Sequence, residues 1–403
     1  MNVAIVGGGV TGLFCAYYLA KDDHKVTVIE KSKTGSATSI YNAGLLTPSL
    51  APTPPIARRR ILSAYLRRKD PVYISPTQIL RNLRWFRAAM HKRTTGYEEK
   101  IVSLGRKSLE LYQEFFKEVG FRPDVIDRIA AVYSKESDAR KAQSSYGGKL
   151  LDQSSIDQMG FQGFRGGLMI EDELSVNPAK LYKSLWDTTI TRGVAELLVG
   201  RDIKLASRAG PRALLFVDGK QIDCDMVVVT AGSWTREICR QLGYDAPILP
   251  ARGLAVVFDT GGEELITTPA LLEDYGVGLA QHNKTTLRIT GFFEMVGFRT
   301  HFSSARKNWL LDKFQRHVAK SEHARIVEEG VGFRPCTPDQ LPIIGPIPGY
   351  KNAYVASGNC RLGVTNAPAT AQLLVSMINE TTQTSEASSS IRSSWYDPSR
   401  FGS

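Results

Sequence analysis

Two arginines, Arg334 in VGFRPCTPD and Arg361 in SGNCRLGV, occupy segments that otherwise read as buried or tightly turned. A guanidinium in such a place needs an anion, because an unpaired buried charge is costly. Two kinds of anion are open at this point. One is an acid of the chain itself, such as Asp339. The other is the carboxylate of a bound small molecule, which a guanidinium can grip through two parallel hydrogen bonds. A second chemical pattern lies at the start of the chain. Gly7, Gly9 and Gly12 fit G-x-G-x-x-G, and Glu30 closes the next β-branched run, eighteen residues after Gly12. Glycines so placed let the backbone approach a pyrophosphate, and the acid accepts ribose hydroxyls. An acid there also disfavours a 2′-phosphate, so the spacing points to NAD or FAD rather than NADP.

These residues need particular elements around them. The apolar run 3–6 reads as a buried parallel strand, 13–20 as a helix face and 26–29 as a second strand. The segment IDCDMVVVTAGSW reads as another buried strand, ending in Ala231 and Gly232 at the sheet edge where ligands bind in open α/β folds. Asn42, Ala43 and Gly44 are small enough for close backbone approach, ahead of a Pro- and Ala-rich linker over 47–55. Helical patterns dominate 76–149. Alternating patterns from RGLAVVFDT to TTLRITGFFEM predict a separate antiparallel sheet over about 250–294, followed by a helix over 303–321. LGVTNAPATAQLLVSMI predicts a helix beginning near Val364 or Thr365, whose N-terminus would favour negative charge. The tail SEASSSIRSS is of low complexity.

At 403 residues the chain has room for two or three domains. No apolar run is long enough to span a bilayer, and the first residues do not read as a secretory leader. The five cysteines are odd in number and scattered, with no C-x-x-C; neither a disulfide framework nor a metal site is expected, which fits a reducing cytoplasmic setting. His282 and His301 read as isolated surface or loop histidines. The net charge of +11 is concentrated: residues 56–97 hold eleven Lys and Arg against Asp70. Within them, QILRNLRWFRAAMHKR places Ile79, Leu83, Phe86 and Met90 on one helical face. Such a segment suits either a solvated cover on the core or a peripheral contact with anionic lipid; no recognition motif supports nucleic acid.

The opening fingerprint, SIYNAGLLTP, VVVTAGSW and GFRPCTPDQLPIIG followed by GNCRLGVTNAPATAQLL occur in this order. Together they resemble the D-amino-acid oxidase superfamily of FAD-dependent amine oxidoreductases, with D-amino-acid dehydrogenases first and glycine oxidases next. The resemblance implies an FAD-binding Rossmann-like, doubly wound α/β domain interleaved with an α+β substrate domain built on an antiparallel sheet. The implied boundaries are 1–55, 150–245 and 332–403 for the FAD domain, and 56–149 and 246–331 for the substrate domain. It implies FAD contacts from Gly7, Gly9, Val10, Thr11, Gly12, Glu30 and Lys31, then Thr38, Ser39, Asn42, Ala43, Gly44 and Leu45. Further contacts would come from Ile203 through its backbone, Ala231, Gly232, Trp234, Gly358, Leu362, Gly363, Val364 and Thr365. Arg334, Arg361 and Tyr275 would face the substrate. Gly332 stands where the sarcosine oxidase branch carries its flavin-linked cysteine, so the FAD would be non-covalent. The implied reaction is oxidative deamination of a small amino acid, a D-amino acid first of all. Electrons would pass to a quinone or dye, or in the alternative to oxygen with hydrogen peroxide formed; glycine, sarcosine and L-proline are the alternative substrates.

Overall fold

The computed structural model describes residues 1–31, 38–50, 71–90, 96–207, 212–382 and 393–401. Two sheets organise them. The first runs in the order Ile343–Pro346, Ala353–Ser357, Met226–Val229, Asn2–Val6, Lys25–Glu30, Glu196–Val199. Every neighbouring pair is parallel except the antiparallel first one. Its strands are short and apolar because both faces are covered. On one face helices Val10–Lys21, Tyr97–Val119 and Ala367–Thr382 pack through Leu13, Phe14, Tyr112, Phe115, Leu374 and Ile378. Phe14 meets the rings of Tyr112 and Phe115 edge-on, at 5.5 and 5.3 Å between centroids. On the other face Ala4, Val227 and Val229 join Leu205 and Leu215 of a three-stranded antiparallel sheet, Ile203–Ser207, Ala213–Val217 and Lys220–Ile222.

The second sheet has nine strands. Its long members, Arg325–Cys336, Leu249–Asp259, Thr286–Met295 and Val277–Asn283, pair antiparallel. Leu254, Val256 and Ile289 bury one of its faces against Leu310 and Phe314 of helix Ser304–His317, which Ser303 caps by accepting the Arg306 amide. Glu294, on this sheet, is buried between the guanidinium groups of Arg252 and Arg306.

Several expectations need correction. The stretch 76–149 is not purely helical: Ile129–Tyr133 is a fully buried strand and Lys149–Leu151 a second one, both in the nine-stranded sheet. Gly166–Ile170 pairs with Ile129–Tyr133, so the chain from 150 to 170 lies with this sheet and not with the nucleotide-type sheet. Conversely, helix Tyr97–Val119, expected with the substrate domain, packs on the parallel sheet's helices. The basic helix is broken at Asn82 into Pro76–Arg81 and Leu83–Met90. The Asn82 side chain donates to the Gln78 carbonyl and accepts from Arg236, competing with helical continuity. After the break Trp85 and Phe86 turn inward, whereas Leu83 and Met90, expected on the same face as Phe86, are exposed. Residues 51–70 and 91–95 of the basic segment, most of the 47–55 linker and residues 383–392 of the tail lie outside the described residues. Among the described residues no helix is long and apolar enough to cross a membrane.

Candidate active site

A cavity of about 730 Å³ is lined from both sheets. Strand Asn2–Val6 enters it through the glycine turn. Gly7 has a φ of +115°, and a β-carbon there would meet the Thr230 carbonyl oxygen at 2.7 Å. A β-carbon on Gly12 would meet Thr230 Oγ1 at 2.7 Å, so Gly12 serves the close contact of helix on strand and does not line the cavity. Thr230 Oγ1 in turn donates to the Gly7 carbonyl at 2.9 Å. The Glu30 carboxylate accepts the amides of Gly8 (2.8 Å) and Lys31 (2.9 Å), and the Tyr182 hydroxyl donates to the Gly8 carbonyl (2.6 Å). Gly9, by contrast, presents open backbone: among the described residues only Ser39 Oγ stands within 4 Å of its built β-carbon, at 3.8 Å.

The remaining wall is brought together from distant segments. Val10, Thr11, Lys31, Thr38, Ser39, Asn42, Ala43 and Leu45 line the cavity, as do Ile203, Ala231, Gly232 and Trp234. Gly358, Leu362, Gly363, Val364 and Thr365 line it from the C-terminal segment. Gly44 does not; its carbonyl accepts the Val176 amide at 2.9 Å, and at φ +77° it lies so close to Val176 that no β-carbon fits. The C-terminal helix begins at Ala367, later than expected, after a 3₁₀ turn Cys360–Leu362; the Val364 carbonyl accepts from the buried Tyr112 hydroxyl at 2.7 Å. Trp234 stacks on Phe298 at 4.9 Å, with the Lys31 ammonium 4.1 Å above its ring.

Arg334 extends from strand Arg325–Cys336 into this cavity. Its Nη1 donates to the Phe292 carbonyl at 2.9 Å, and no carboxylate among the described residues pairs with it. Asp339, the internal partner considered from sequence, pairs instead with Arg400, at 2.9 and 3.1 Å. Burial, with the Arg361 charge adding to it, pushes the Arg334 guanidinium down to about 10, still far above neutrality, so it stays a cation. Arg361 lines the cavity from the 3₁₀ turn and is exposed.

Tyr275 is not brought to the cavity. Its ring packs on helix Ser304–His317, 5.0 Å from His317 and edge-on to Trp309 at 6.4 Å, with the Lys313 ammonium 4.8 Å away. Tyr275 lies in the turn between strands Ala270–Leu272 and Val277–Asn283, its amide donating to the Leu272 carbonyl at 3.1 Å. Its ring joins the core that holds Val277, while Gly276 and Gly278 line the cavity. His282 is no loop residue: it lies on strand Val277–Asn283 with Nε2 2.8 Å from the buried Ser175 hydroxyl, and burial, then the Arg288 charge, pushes it down to about 4. His301 lies in an exposed loop. The cysteine expectation is overturned as well: Cys336 and Cys360, twenty-four residues apart, form a disulfide. A β-bridge between Cys336 and Asn359 brings them together, a contact that no local spacing announces.

Sequence reasoning passed over Gly253, Gly278, Thr290 and Gly291 on the antiparallel sheet, all of which line the cavity. A signal existed: a glycine inside a strand marks close approach of another group. At Gly253 the group is Arg334, and at Gly332 it is Thr38, whose methyl would lie 2.9 Å from a β-carbon.

A parallel sheet opening on a glycine turn, joined along one cavity to an antiparallel sheet that carries a half-buried cation in that cavity, defines a dinucleotide-dependent oxidoreductase of the two-sheet type. The chain belongs to the FAD dependent oxidoreductase family, whose model matches residues 2–377. It is therefore an oxidoreductase that uses FAD, and the open backbone at Gly9 and Gly363, the latter with nothing among the described residues within 4 Å of a built β-carbon, fits that group. The chain is 26% identical to the D-amino acid dehydrogenase of Dechloromonas aromatica (strain RCB), over 94% of this chain and 97% of that protein. Its fold is similar to iminodiacetate oxidase from Chelativorans sp. BNC1 (TM-score 0.76, 18% identity, 98% of both chains). It is similar also to glycine oxidase from Geobacillus kaustophilus (0.75, 19%, 99% of this chain and 98% of that one) and to L-proline dehydrogenase from P. horikoshii (0.74, 18%, 99% and 97%).

Proposed function

We propose that the chain catalyses oxidative deamination of a small amino acid, a D-amino acid first of all, as its relative from Dechloromonas aromatica is named to do. The observation that carries this reading is Arg334, a cation inside the cavity with a carbonyl but no acid for a partner among the described residues. It binds the substrate carboxylate, and Arg361, on the same wall, adds a second positive charge. The clamp orients the α-carbon, which replaces much of the entropic barrier, and no dedicated base is needed for a neutral amine. FAD, held non-covalently by the glycine turn, Glu30 and the segments around Asn42, Gly232 and Gly363, supplies the hydride acceptor when bound. The product imine hydrolyses in water to a 2-oxo acid and ammonia. Tyr275, whose ring packs on Trp309 and His317 away from the cavity, takes no part.

A quinone or similar carrier is the proposed acceptor, reached by an enzyme lying on a membrane surface. Leu80, Leu83 and Met90 are exposed (71%, 53% and 44%) along two short helices that also carry Arg81, Arg84 and Arg87, a combination suited to anionic lipid. Anaerobic titration of the yellow holoenzyme with D-alanine, D-proline or glycine should bleach the flavin, and a dye should restore it. Rapid restoration by air with peroxide would instead assign the oxidase alternative. Arg334→Leu should abolish bleaching while the oxidised flavin spectrum persists; unchanged bleaching would overturn the carboxylate assignment.

A further inference from the structure

The disulfide Cys336–Cys360 joins the two segments that carry the arginines. Arg334 stands two residues before Cys336, and Arg361 directly follows Cys360. The two supports differ in rigidity. Arg334 belongs to a long strand whose register against Leu249–Asp259 holds at Ala251↔Arg334 and Leu249↔Cys336. Arg361 belongs to a three-residue 3₁₀ turn, and Cys360 there has a φ of +46°, the left-handed region that side chains other than glycine disfavour. Two positive charges on one cavity wall repel each other, which favours movement of the looser one. Two ties join strand and turn here, a β-bridge between Cys336 and Asn359 and this disulfide. The disulfide is the side-chain covalent one and acts on Cys360 itself, a residue that lines the cavity.

We propose that Cys336 and Cys360 are positioning residues for substrate carboxylate capture: their disulfide holds Arg361 beside Arg334, and its reduction to two thiols weakens carboxylate binding. The proposal rests on the carboxylate reading of Arg334 given above. Reduction is ordinary thiol–disulfide exchange. A thiolate of an added dithiol attacks Sγ of Cys360, the S–S bond breaks, and Cys336 leaves as a thiolate that takes a proton from water. The dithiol's second thiolate then attacks the mixed disulfide and frees Cys360. The protein gains two electrons and two protons, and the reagent becomes a cyclic disulfide. The turn would not unfold, because Asn359 keeps its own hold: its amide donates to Thr370 Oγ1 at 3.3 Å, and its carbonyl accepts the Leu362 amide at 2.8 Å. Without the tie, Cys360 can leave the left-handed region and carry Arg361 away from the strand.

The test uses the intact holoenzyme and benzoate, a carboxylate with no amine to oxidise, titrated calorimetrically before and after dithiol treatment. Alkylation and mass measurement count the new thiols. Reduction should raise the benzoate Kd about tenfold, the loss of one charge-assisted hydrogen bond, while the flavin stays bound and the melting temperature of the holoenzyme changes little. Cys360→Ala should reproduce the shift if the buried bond resists the reagent. In Arg361→Ala the Kd should start high and show no further change on reduction, a dependence that a merely structural role would not produce. An unchanged Kd in the demonstrably reduced protein, or an equal shift in the Arg361→Ala background, would overturn the proposal. Absence of benzoate binding to the oxidised wild type would instead overturn the carboxylate reading on which it stands.

Discussion

Gly253 and Arg334 fit together as groove and bolt. A β-carbon built on Gly253 would lie 2.7 Å from Arg334 Nη2 and 2.8 Å from its Cζ, so the guanidinium occupies the space that any side chain at 253 would need. The two residues are on paired strands, with Gly253 opposite Gly332 and Ala251 opposite Arg334. Arg334 thus lies diagonally across the glycine, and its hydrogen bond to the Phe292 carbonyl fixes the far end.

Gly253→Ala should therefore act as an arginine variant without touching the arginine. The added methyl group meets the guanidinium, which must move away from the Phe292 carbonyl. A displacement of this size costs on the order of a hundredfold in catalytic efficiency. The expected outcome is a loss of roughly that size in kcat/KM for the best amino-acid substrate, with FAD content unchanged. Steady-state kinetics beside the flavin spectrum of the purified variant would show it, and wild-type efficiency would remove the glycine from the site.

Glycines 12 and 363 should separate folding from cofactor binding. At Gly12 a β-carbon meets Thr230 Oγ1 and the Gly7 backbone, and such overpacking costs about 1–3 kcal/mol. Gly12→Ala should lower the melting temperature of the apoprotein and weaken FAD retention together. At Gly363 nothing among the described residues lies within 4 Å of a built β-carbon, yet the residue lines the cavity. Gly363→Val should leave apoprotein melting nearly unchanged while lowering FAD affinity, measured by titrating apoprotein with FAD. A variant that keeps full affinity would move the cofactor away from the C-terminal segment.

The nucleotide half was legible because its logic is local. Strand, glycine turn, helix, strand and terminal acid lie within thirty residues, and each was found within a few residues of its expected bounds. The cation half was legible in part. Arg334 stood out because its segment looks buried, but its glycine support depends on a register that no single strand reveals. Tyr275 misled because a family position says nothing about which way a turn directs its side chains, and here the ring turns to helix Ser304–His317 while the glycines at 276 and 278 line the cavity. Ile129–Tyr133 and Gly166–Ile170 were missed as sheet members because their pairing partners are distant in sequence or separated by a helix. The Cys336–Cys360 pair shares that cause, since a bridge between Cys336 and Asn359, residues far apart in sequence, sets the two sulfurs side by side.

His282 should make stability depend on pH in the acid range. Burial pushes it down from its ordinary 6.5 to about 4, so between these values the unfolded chain binds a proton that the folded chain does not. Stability is then complete above about 6.5 and falls as pH drops toward about 4, by a few kcal/mol across the window. His282→Asn, which keeps a polar partner for the Ser175 hydroxyl, should flatten that slope. Urea unfolding at several pH values would check it; an equal slope in the variant would assign the dependence to other groups.

The strongest stability effect should come from Glu294. Its carboxylate is buried and bonded by Arg252 Nε at 2.8 Å and Nη2 at 2.6 Å, and Arg306 contacts its other oxygen. Arg252 also donates through Nη1 to the carbonyls of Arg299 and His301, which ties the loop after strand Thr286–Met295 to the sheet. Replacing both charges of a buried pair by apolar groups can be neutral, whereas removing one partner strands the other. Glu294→Gln strands two guanidinium groups in a poorly solvated place, for which about 3–5 kcal/mol is the expected cost. Arg306→Met, which leaves the Arg252–Glu294 pair intact, should cost clearly less. Comparing the two variants by denaturant unfolding of the holoenzyme decides the matter, and equal losses would mean that the two arginines share the carboxylate as one cooperative unit.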